Sequence, residues 1–332
     1  MHSIFNGQIL VTGGAGFIGS ALIWALNQRD FSNILVTDLL GEGDKFRNLV
    51  PLRFNDYIEA DHFLDRLEAR PDTFDKVKTV FHLGACSSTT EKNARFLIEN
   101  NYEYSKRLAL WCLRKDIRFV YASSAATYGD GAQGMDDKDE RISRLRPLNM
   151  YGYSKQLFDH YAQRHGFLDK VVGLKYFNIF GPNEGHKGDM RSVVHKAFGQ
   201  IRDSGEVKLF KSYRPEYKDG CQQRDFLYVK DAVEMTLHLA ESEGAGGLYN
   251  IGSGQANTWL DLVSPIFKLL KRPTNIRYIE MPEHLRTKYQ YYTCADIAKL
   301  RATGYDLPHT PLTAAVIDYV QNYLLPGHRL GE

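Results

Sequence analysis

Gln8-Ile-Leu-Val-Thr-Gly-Gly-Ala-Gly-Phe-Ile-Gly19 decides the fold. Its first five residues form a short apolar run, and an apolar helical pattern follows through Phe17, Ile18, Ala21, Leu22 and Leu26. Strand, glycine turn and helix are the context in which such glycines hold a dinucleotide. Gly13 and Gly16 permit the tight turn and let backbone approach a pyrophosphate. Gly19 lets the helix pack closely on the strand, and the helix N-terminus attracts the phosphates. The plainer alternative is a glycine turn with no ligand. Against it, the next strand, Asn33-Ile-Leu-Val-Thr37, runs into Asp38. That acid stands about 20 residues past the motif, where the partner of a ribose hydroxyl belongs. Lys45 follows in a loop opened by Gly41 and Gly43, with Arg47 and Arg53 nearby. It is a candidate partner for a 2′-phosphate, with simple solvation as its alternative, so both NADP and NAD stay open.

The alternation continues along the chain. Tyr57-Ile-Glu59 reads as a third strand end, and Val77-Lys-Thr-Val-Phe-His82 as a fourth strand. The fourth enters the small-residue loop Leu83-Gly-Ala-Cys-Ser87, which lets a cofactor lie close. Helical periodicity spans about 94–113. Arg118-Phe-Val-Tyr-Ala122 is a fifth strand, followed by Ser123 and Ser124. A hydroxyl at the carboxyl end of a parallel strand points into the ligand crevice, so Ser124 is a candidate to bond a reacting hydroxyl or carbonyl. Strand-end capping is its equal alternative. Val171-Val-Gly-Leu-Lys-Tyr176 is a sixth strand, the stretch from Phe177 to Pro182 turns out of the sheet, and Gly247-Leu-Tyr-Asn-Ile-Gly252 returns to it. The expected fold is α/β: a Rossmann-type, doubly wound parallel sheet with a smaller C-terminal substrate-binding lobe. Its division is 1–177 for the dinucleotide domain, with return segments about 225–253, and 178–224 plus 254–332 for the lobe.

Tyr151-Gly-Tyr-Ser-Lys155 places a phenol and an ammonium on one helix face. Lys155 favours the phenolate of Tyr151, which makes a proton acceptor of the kind that hydride removal from a carbinol requires. Beyond it lie Glu184-Gly-His-Lys-Gly-Asp-Met190, Lys208-Leu-Phe-Lys-Ser-Tyr-Arg214, Gln223-Arg-Asp-Phe-Leu-Tyr-Val229 and the stretch holding Arg286, Lys288 and Tyr289. This basic and aromatic material suits an anionic nucleotide substrate. For Arg224 the alternative is an ion pair with Asp225 or another acid.

The 332 residues suffice for about two domains, and a net charge of +2 argues against a nucleic-acid or membrane partner. The N-terminus is too short and polar before the first strand for a signal peptide, and no apolar run reaches a membrane span. Cys86, Cys112, Cys221 and Cys294 are scattered and read as free thiols in a reducing compartment, hence the cytoplasm. No metal site is expected.

The glycine turn, Ser124 and Tyr151/Lys155 resemble the extended short-chain dehydrogenase/reductase family. Gly84-Ala-Cys-Ser-Ser-Thr-Thr-Glu91, Tyr121-Ala-Ser-Ser-Ala-Ala-Thr-Tyr-Gly129, Asn178 and Glu184-Gly-His-Lys-Gly188 resemble a narrower branch, the epimerases that act at C6 of ADP-heptoses for lipopolysaccharide core precursors. The likeness runs from about residue 8 to about residue 320. It implies an isomerase using tightly bound NADP, with NAD as the alternative, and a transient 6-keto sugar. Phe17, Ile18, Asp38, Leu39, Lys45, Leu83, Gly84, Ala85, Cys86, Ser87, Asn100, Lys155, Ile179 and Lys187 would line the cofactor. Tyr151 and Lys187 would be the acid/base residues, with Lys155 and Ser124 assisting. Asn178, Asp189, Lys196, Phe210, Lys211, Ser212, Tyr213, Arg224 and Tyr289 would meet the ADP-sugar. A homo-oligomer of five subunits is implied by the resemblance alone. The chain departs from the pattern at Leu39 (asparagine there), Ala60 (lysine), Asp189 (serine) and Lys196 (histidine), and in a longer loop from Pro215 to Gln222.

The rivals are another nucleotide-sugar epimerase, such as a UDP-sugar 4-epimerase, a 4,6-dehydratase, and a non-catalytic cofactor sensor. A dehydratase usually places an acidic pair directly after the serine position; Ala125 and Ala126 stand there and carry no proton. An intact Ser124, Tyr151 and Lys155 argues against a sensor.

Overall fold

The structure is a computed structural model that describes residues 4–286 and 289–332. Lys288 lies outside the described residues. In chain order the strands are β1 (Gln8–Thr12), β2 (Ile34–Asp38), β3 (Asp56–Glu59), β4 (Val77–His82), β5 (Arg118–Ser124), β6 (Val172–Tyr176), β7 (Asn178–Phe180), β8 (Val207–Phe210), β9 (Gln223–Tyr228), β10 (Gly247–Ile251), β11 (Ala256–Thr258) and β12 (Ile276–Ile279). Seven form one sheet in the order β10-β6-β5-β4-β1-β2-β3, every pairing parallel. β2 is buried along its whole length, as befits a parallel strand covered by helices on both faces. The chain builds outward from β1 through β3, then crosses back to β4. The switch point between β1 and β4 opens a crevice at the carboxyl ends of the strands. The expected doubly wound architecture is what forms.

Glycine sets the entry to that crevice. Gly13 has φ +69°, and a Cβ there would stand 2.6 Å from the Gly84 backbone. A Cβ on Gly19 would stand 2.1 Å from the Gly13 carbonyl oxygen, so only glycine lets the helix Phe17–Gln28 begin this close to the turn.

The helix expected over 94–113 is broken in three. Ala94–Leu97 and Tyr104–Arg114 are α-helical, and a π-helical turn, Ile98–Glu103, joins them. Such turns are rare and often mark functional sites. Here Asn101 binds the loop after β4: its Oδ1 accepts from Cys86 N at 2.9 Å and its Nδ2 donates to Cys86 O at 3.0 Å. Hydrophobic periodicity carries no trace of such a bulge.

Past β6 the chain leaves the main sheet. β7 pairs in parallel with β9, β9 pairs antiparallel with β11, and β8 with β12 form a separate parallel pair. These elements share a hydrophobic core with one face of the main sheet. Ile9, Val11 and Val36 belong to the same buried cluster as Phe198, Phe226, Ile266 and Val316. A second cluster, with Leu10, Val80, Phe119 and Phe158, fills the opposite face. Among the described residues no helix is long and apolar enough to cross a membrane, and no group of His, Cys, Asp and Glu side chains is arranged to hold a metal.

Candidate active site

A cleft of about 500 Å³ occupies the switch-point crevice. The glycine turn forms its floor through Gly13, Gly16, Phe17, Ile18 and Gly19. Gly16 precedes the helix Phe17–Gln28 without a side-chain cap, so the first-turn N–H groups are left to a ligand. Asp38 and Lys45 form one wall, and Leu83, Gly84, Ala85, Cys86 and Ser87 another. Leu39 and Asn100 line an adjoining hollow of about 300 Å³. It shares Gly13, Asp38, Lys45, Gly84, Ala85 and Cys86 with the cleft. These six shared residues mark where the two spaces adjoin. An elongated ligand fits across the two, and backbone pared down to glycine is where a pyrophosphate would lie.

Asp38 is tied to the turn it serves. Its carboxylate accepts from Ala15 N at 2.8 Å and from Leu39 N at 2.7 Å, and it pairs with the Lys45 ammonium. Lys45 also donates to the Leu39 carbonyl at 3.2 Å.

The loop after β4 is held by a chain of hydrogen bonds. Gly84 N donates to Thr12 Oγ1 at 3.1 Å, and Thr12 Oγ1 lies 2.7 Å from His82 Nδ1. His82 Nε2 lies 2.8 Å from Ser105 Oγ, which donates to the Asn101 carbonyl at 2.6 Å. Burial, then the charge of Lys155, lowers the His82 pKa to about 3. The imidazole is therefore neutral, and one tautomer, with Nδ1 accepting and Nε2–H donating, satisfies the whole chain.

Ser124, Tyr151 and Lys155 meet at the far end of the cleft. Ser124 ends β5, and its Oγ accepts from Ala126 N at 3.1 Å, so the capping alternative is realised. The same hydroxyl acts on the Tyr151 phenol, which lines the cleft with it. Asn149 caps the helix Met150–Arg164 by accepting from Gly152 N at 2.8 Å, which fixes where Tyr151 begins it. Burial raises the Tyr151 pKa, and the opposing influence is Ser124. The expectation that Lys155 lowers it is not met: desolvation of the phenol wins, and the ammonium is not among the groups that shift it. Lys155 is itself pulled down to about 8 by burial, against the charges of Asp159 and Cys86.

Lys187 lines the cleft from the turn Gly185–Met190, with its ammonium 5.3 Å from the centre of the Phe17 ring. Burial lowers its pKa, opposed by buried Glu184. Ile179 lines the cleft beside it.

The residues expected to meet the sugar nucleotide lie outside this cleft. Asn178 begins β7 beside Ile179. The Asp189 carbonyl accepts from Lys196 Nζ, and Lys196 lines a different cleft with Arg191 and His195. On β8 and the loop after it, Lys211 pairs with Glu280 at 2.5 Å, and the Tyr213 hydroxyl donates to the same acid. Phe210 ends β8, and Ser212 N donates to Asp219 at 2.6 Å. Arg224 is buried and its Nη1 donates to the Gln223 carbonyl. Its guanidinium lies 5.0 Å from the Tyr289 ring centre and 5.6 Å from that of Trp259. The alternative of a pair with Asp225 fails: that carboxylate is consumed by Ser253, Gly254 and Ala295. Among the described residues no acid faces Arg224. Sequence reasoning missed Trp259, whose indole donates to the Tyr289 hydroxyl at 2.9 Å, and Asn101; only the Asn100-Asn101 doublet hinted at the latter.

Residues 9–252 match the NAD dependent epimerase/dehydratase family. A Nitratidesulfovibrio vulgaris protein named ADP-L-glycero-D-manno-heptose-6-epimerase is 51% identical over 315 residues, 95% of this chain and 97% of that protein. A Fusobacterium nucleatum protein of the same name is 44% identical over 326 residues, 96% of this chain and 98% of that one. The crystal structure of the Helicobacter pylori ADP-L-glycero-D-manno-heptose-6-epimerase superposes with a TM-score of 0.79 at 28% identity, covering 96% of each chain. That of the Thermus thermophilus UDP-glucose 4-epimerase in complex with NAD gives 0.71 at 25% identity, covering 95% of this chain and 98% of that one. With the glycine turn, Asp38, Ser124, Tyr151 and Lys155 gathered in one crevice, and these relatives matching nearly end to end, the chain belongs to the NAD dependent epimerase/dehydratase family.

Proposed function

We propose that this chain interconverts ADP-D-glycero-D-manno-heptose and ADP-L-glycero-D-manno-heptose by epimerisation at C6, supplying a lipopolysaccharide core precursor. The observation that carries the reading is that Tyr151 and Lys187, from two distant segments of the chain, line one cleft together with Ser124 and Lys155. The names of relatives 44–51% identical over nearly the whole chain support the substrate. A nicotinamide held in this cleft would supply a hydride acceptor and give the same hydride back, so no outside redox partner would be consumed. Tyr151 takes the C6 hydroxyl proton in one sugar pose, and Ser124 orients that oxygen. Lys155 supplies positive charge behind the phenol, and Lys187 handles the proton in the other pose. Incubating the purified protein with either epimer, with no dinucleotide added, should give a mixture of both. Conversion of a UDP-hexose at C4 while ADP-heptose stays unchanged would favour the 4-epimerase reading.

The cofactor is proposed to be NADP, retained through purification. The residues present fit it: Lys45 pairs with the Asp38 carboxylate, which would otherwise repel a 2′-phosphate, and both line the cleft. Mass spectrometry of the dinucleotide released on denaturation is expected to show NADP. Lys45→Ala is expected to weaken NADP binding far more than NAD binding. Release of NAD alone would overturn this assignment.

Residues 1–177 with 225–253 are read as the cofactor-binding part, and 178–224 with 254–332 as the substrate lobe. In that lobe Arg224 is proposed to hold the diphosphate. A buried guanidinium between two rings, facing no acid among the described residues, is a site prepared for an anion. Arg224→Ala is expected to raise KM at least about tenfold, the loss of one charge-assisted hydrogen bond, with kcat little changed. An unchanged KM would rule the role out. A cytoplasmic location is expected, in keeping with four free cysteines, and a homo-oligomer is expected, whose subunits light scattering would count.

A further inference from the structure

One turn beyond Lys155, the same helix carries a carboxylate that the reaction does not use. Asp159 is fully buried. It accepts from Tyr121 Oη at 2.8 Å, from Ser123 Oγ at 2.8 Å and from Lys175 Nζ at 3.3 Å. Lys175 is buried on β6, opposite Ser123 in the strand register. Its ammonium also donates to Thr127 Oγ1 at 2.6 Å, and Thr127 in turn donates to the Ser124 carbonyl at 2.8 Å. The pair therefore grips Ser124 from both sides, through the hydroxyl of the preceding residue and through its own carbonyl. A buried ion pair adds little net stability over a well-packed apolar substitute, so its position against the reacting groups is what calls for a reason.

Charge alternates through this layer: Lys155, Asp159, Lys175. Asp159 pairs with Lys175 and stands four residues after Lys155 on the same helix, one turn away. A nearby opposite charge favours the charged form of a group, and a like charge disfavours it. The other titratable groups facing Lys155 are Tyr151 on its own helix, Cys86 in the loop after β4, and neutral His82 on β4. Those facing the pair are Tyr121 and Tyr128 from β5 and its following turn, His160 on the helix, and Asp137 and Asp139 from the loop beyond. Among the groups that act on Lys155, Asp159 is the strongest that favours its charged form.

We propose that the Asp159–Lys175 pair is a positioning device for the reaction: Asp159 keeps Lys155 an ammonium, Lys175 limits how much of that carboxylate's charge Lys155 receives, and together they fix Ser124. The inference rests on the reading of Lys155 and Ser124 as parts of the reacting site. It makes a pair of shifts with opposite signs. Lys175→Met removes a cation and leaves Asp159 undivided, so Lys155 should hold its proton to higher pH. Asp159→Asn removes the anion, so Lys155 should lose its proton at lower pH.

The test is the titration of Lys155 in the intact protein. It is read by nuclear magnetic resonance of 13C-labelled lysine ε-carbons, with Lys155→Arg assigning the signal. The midpoint should move by about one pH unit upward in Lys175→Met and downward in Asp159→Asn, and the pH profile of epimerisation should move with it. Thr127→Val, which removes a hydroxyl but no charge, should leave the midpoint in place. If Asp159→Asn fails to fold, Lys175→Met and Thr127→Val still decide. Midpoints unmoved in Lys175→Met, or moved in the same direction by both charge changes, overturn the proposal. Midpoints that move in opposite directions without a matching change in epimerisation uphold the electrostatic device and count against the reading of Lys155 as part of the reacting site.

Discussion

Replacing Tyr151 with phenylalanine is expected to lower the epimerisation rate by about 10²–10⁴-fold, the usual contribution of a positioned acid or base, while the dinucleotide stays bound. A hydride leaves a carbinol carbon only as the hydroxyl proton leaves too, and Tyr151 is the titratable phenol that lines the cleft with Ser124. The variant keeps the ring and loses one oxygen, so the glycine turn, the Asp38–Lys45 pair and the loop held by His82 are untouched. Burial raises the phenol's pKa. The group is therefore protonated at neutral pH before the ligands enter. Initial rates measured beside the dinucleotide content of the purified variant check this. A rate within a few-fold of the parent would remove the phenol from proton transfer.

The second large effect is expected for Lys187→Met, a fall in kcat of about 10²–10⁴-fold with bound cofactor retained. Hydride must return to the face opposite the one it left, and the cofactor is fixed, so the sugar presents both faces in turn. Its C6 oxygen then points in two directions, and one base does not reach both. Lys187 lines the same cleft as Tyr151 but comes from a different segment, with its ammonium over the Phe17 ring. Burial lowers its pKa, so a larger fraction is neutral and able to accept a proton near pH 7, with Glu184 limiting the shift. The competing role is phosphate pairing, which acts on substrate and transition state alike and raises KM with kcat unchanged. That split, measured by full saturation curves, would end the two-base account.

Much of this was legible in the residues because it depends on local pattern. The glycine turn, the small-residue loop around Ala85, the alternation of apolar runs with helical periodicity, and the spacing of Asp38, Ser124, Tyr151 and Lys155 are short-range features, and all of them reach one crevice. What was not legible depends on contacts far apart in sequence. The π-helical turn at Asn101 exists to bind Cys86 and Ser154, 53 residues away in the latter case. The buried Asp159–Lys175 pair joins a helix to a strand that follows it. Arg224 could be paired on paper with its neighbour Asp225, yet strand alternation sends the two side chains to opposite faces. The sign of the Tyr151 shift was also misread: a four-residue spacing to lysine says nothing of how thoroughly the phenol is desolvated.

The central claim is that one hydride leaves C6 and returns to it. It is tested most directly with ADP-D-glycero-D-manno-heptose carrying deuterium at C6, incubated in ordinary water with the purified protein and followed by nuclear magnetic resonance. The account expects the L-glycero epimer to form with deuterium retained at C6. An epimer that has exchanged C6 deuterium for solvent protium, or no epimer at all, would contradict it.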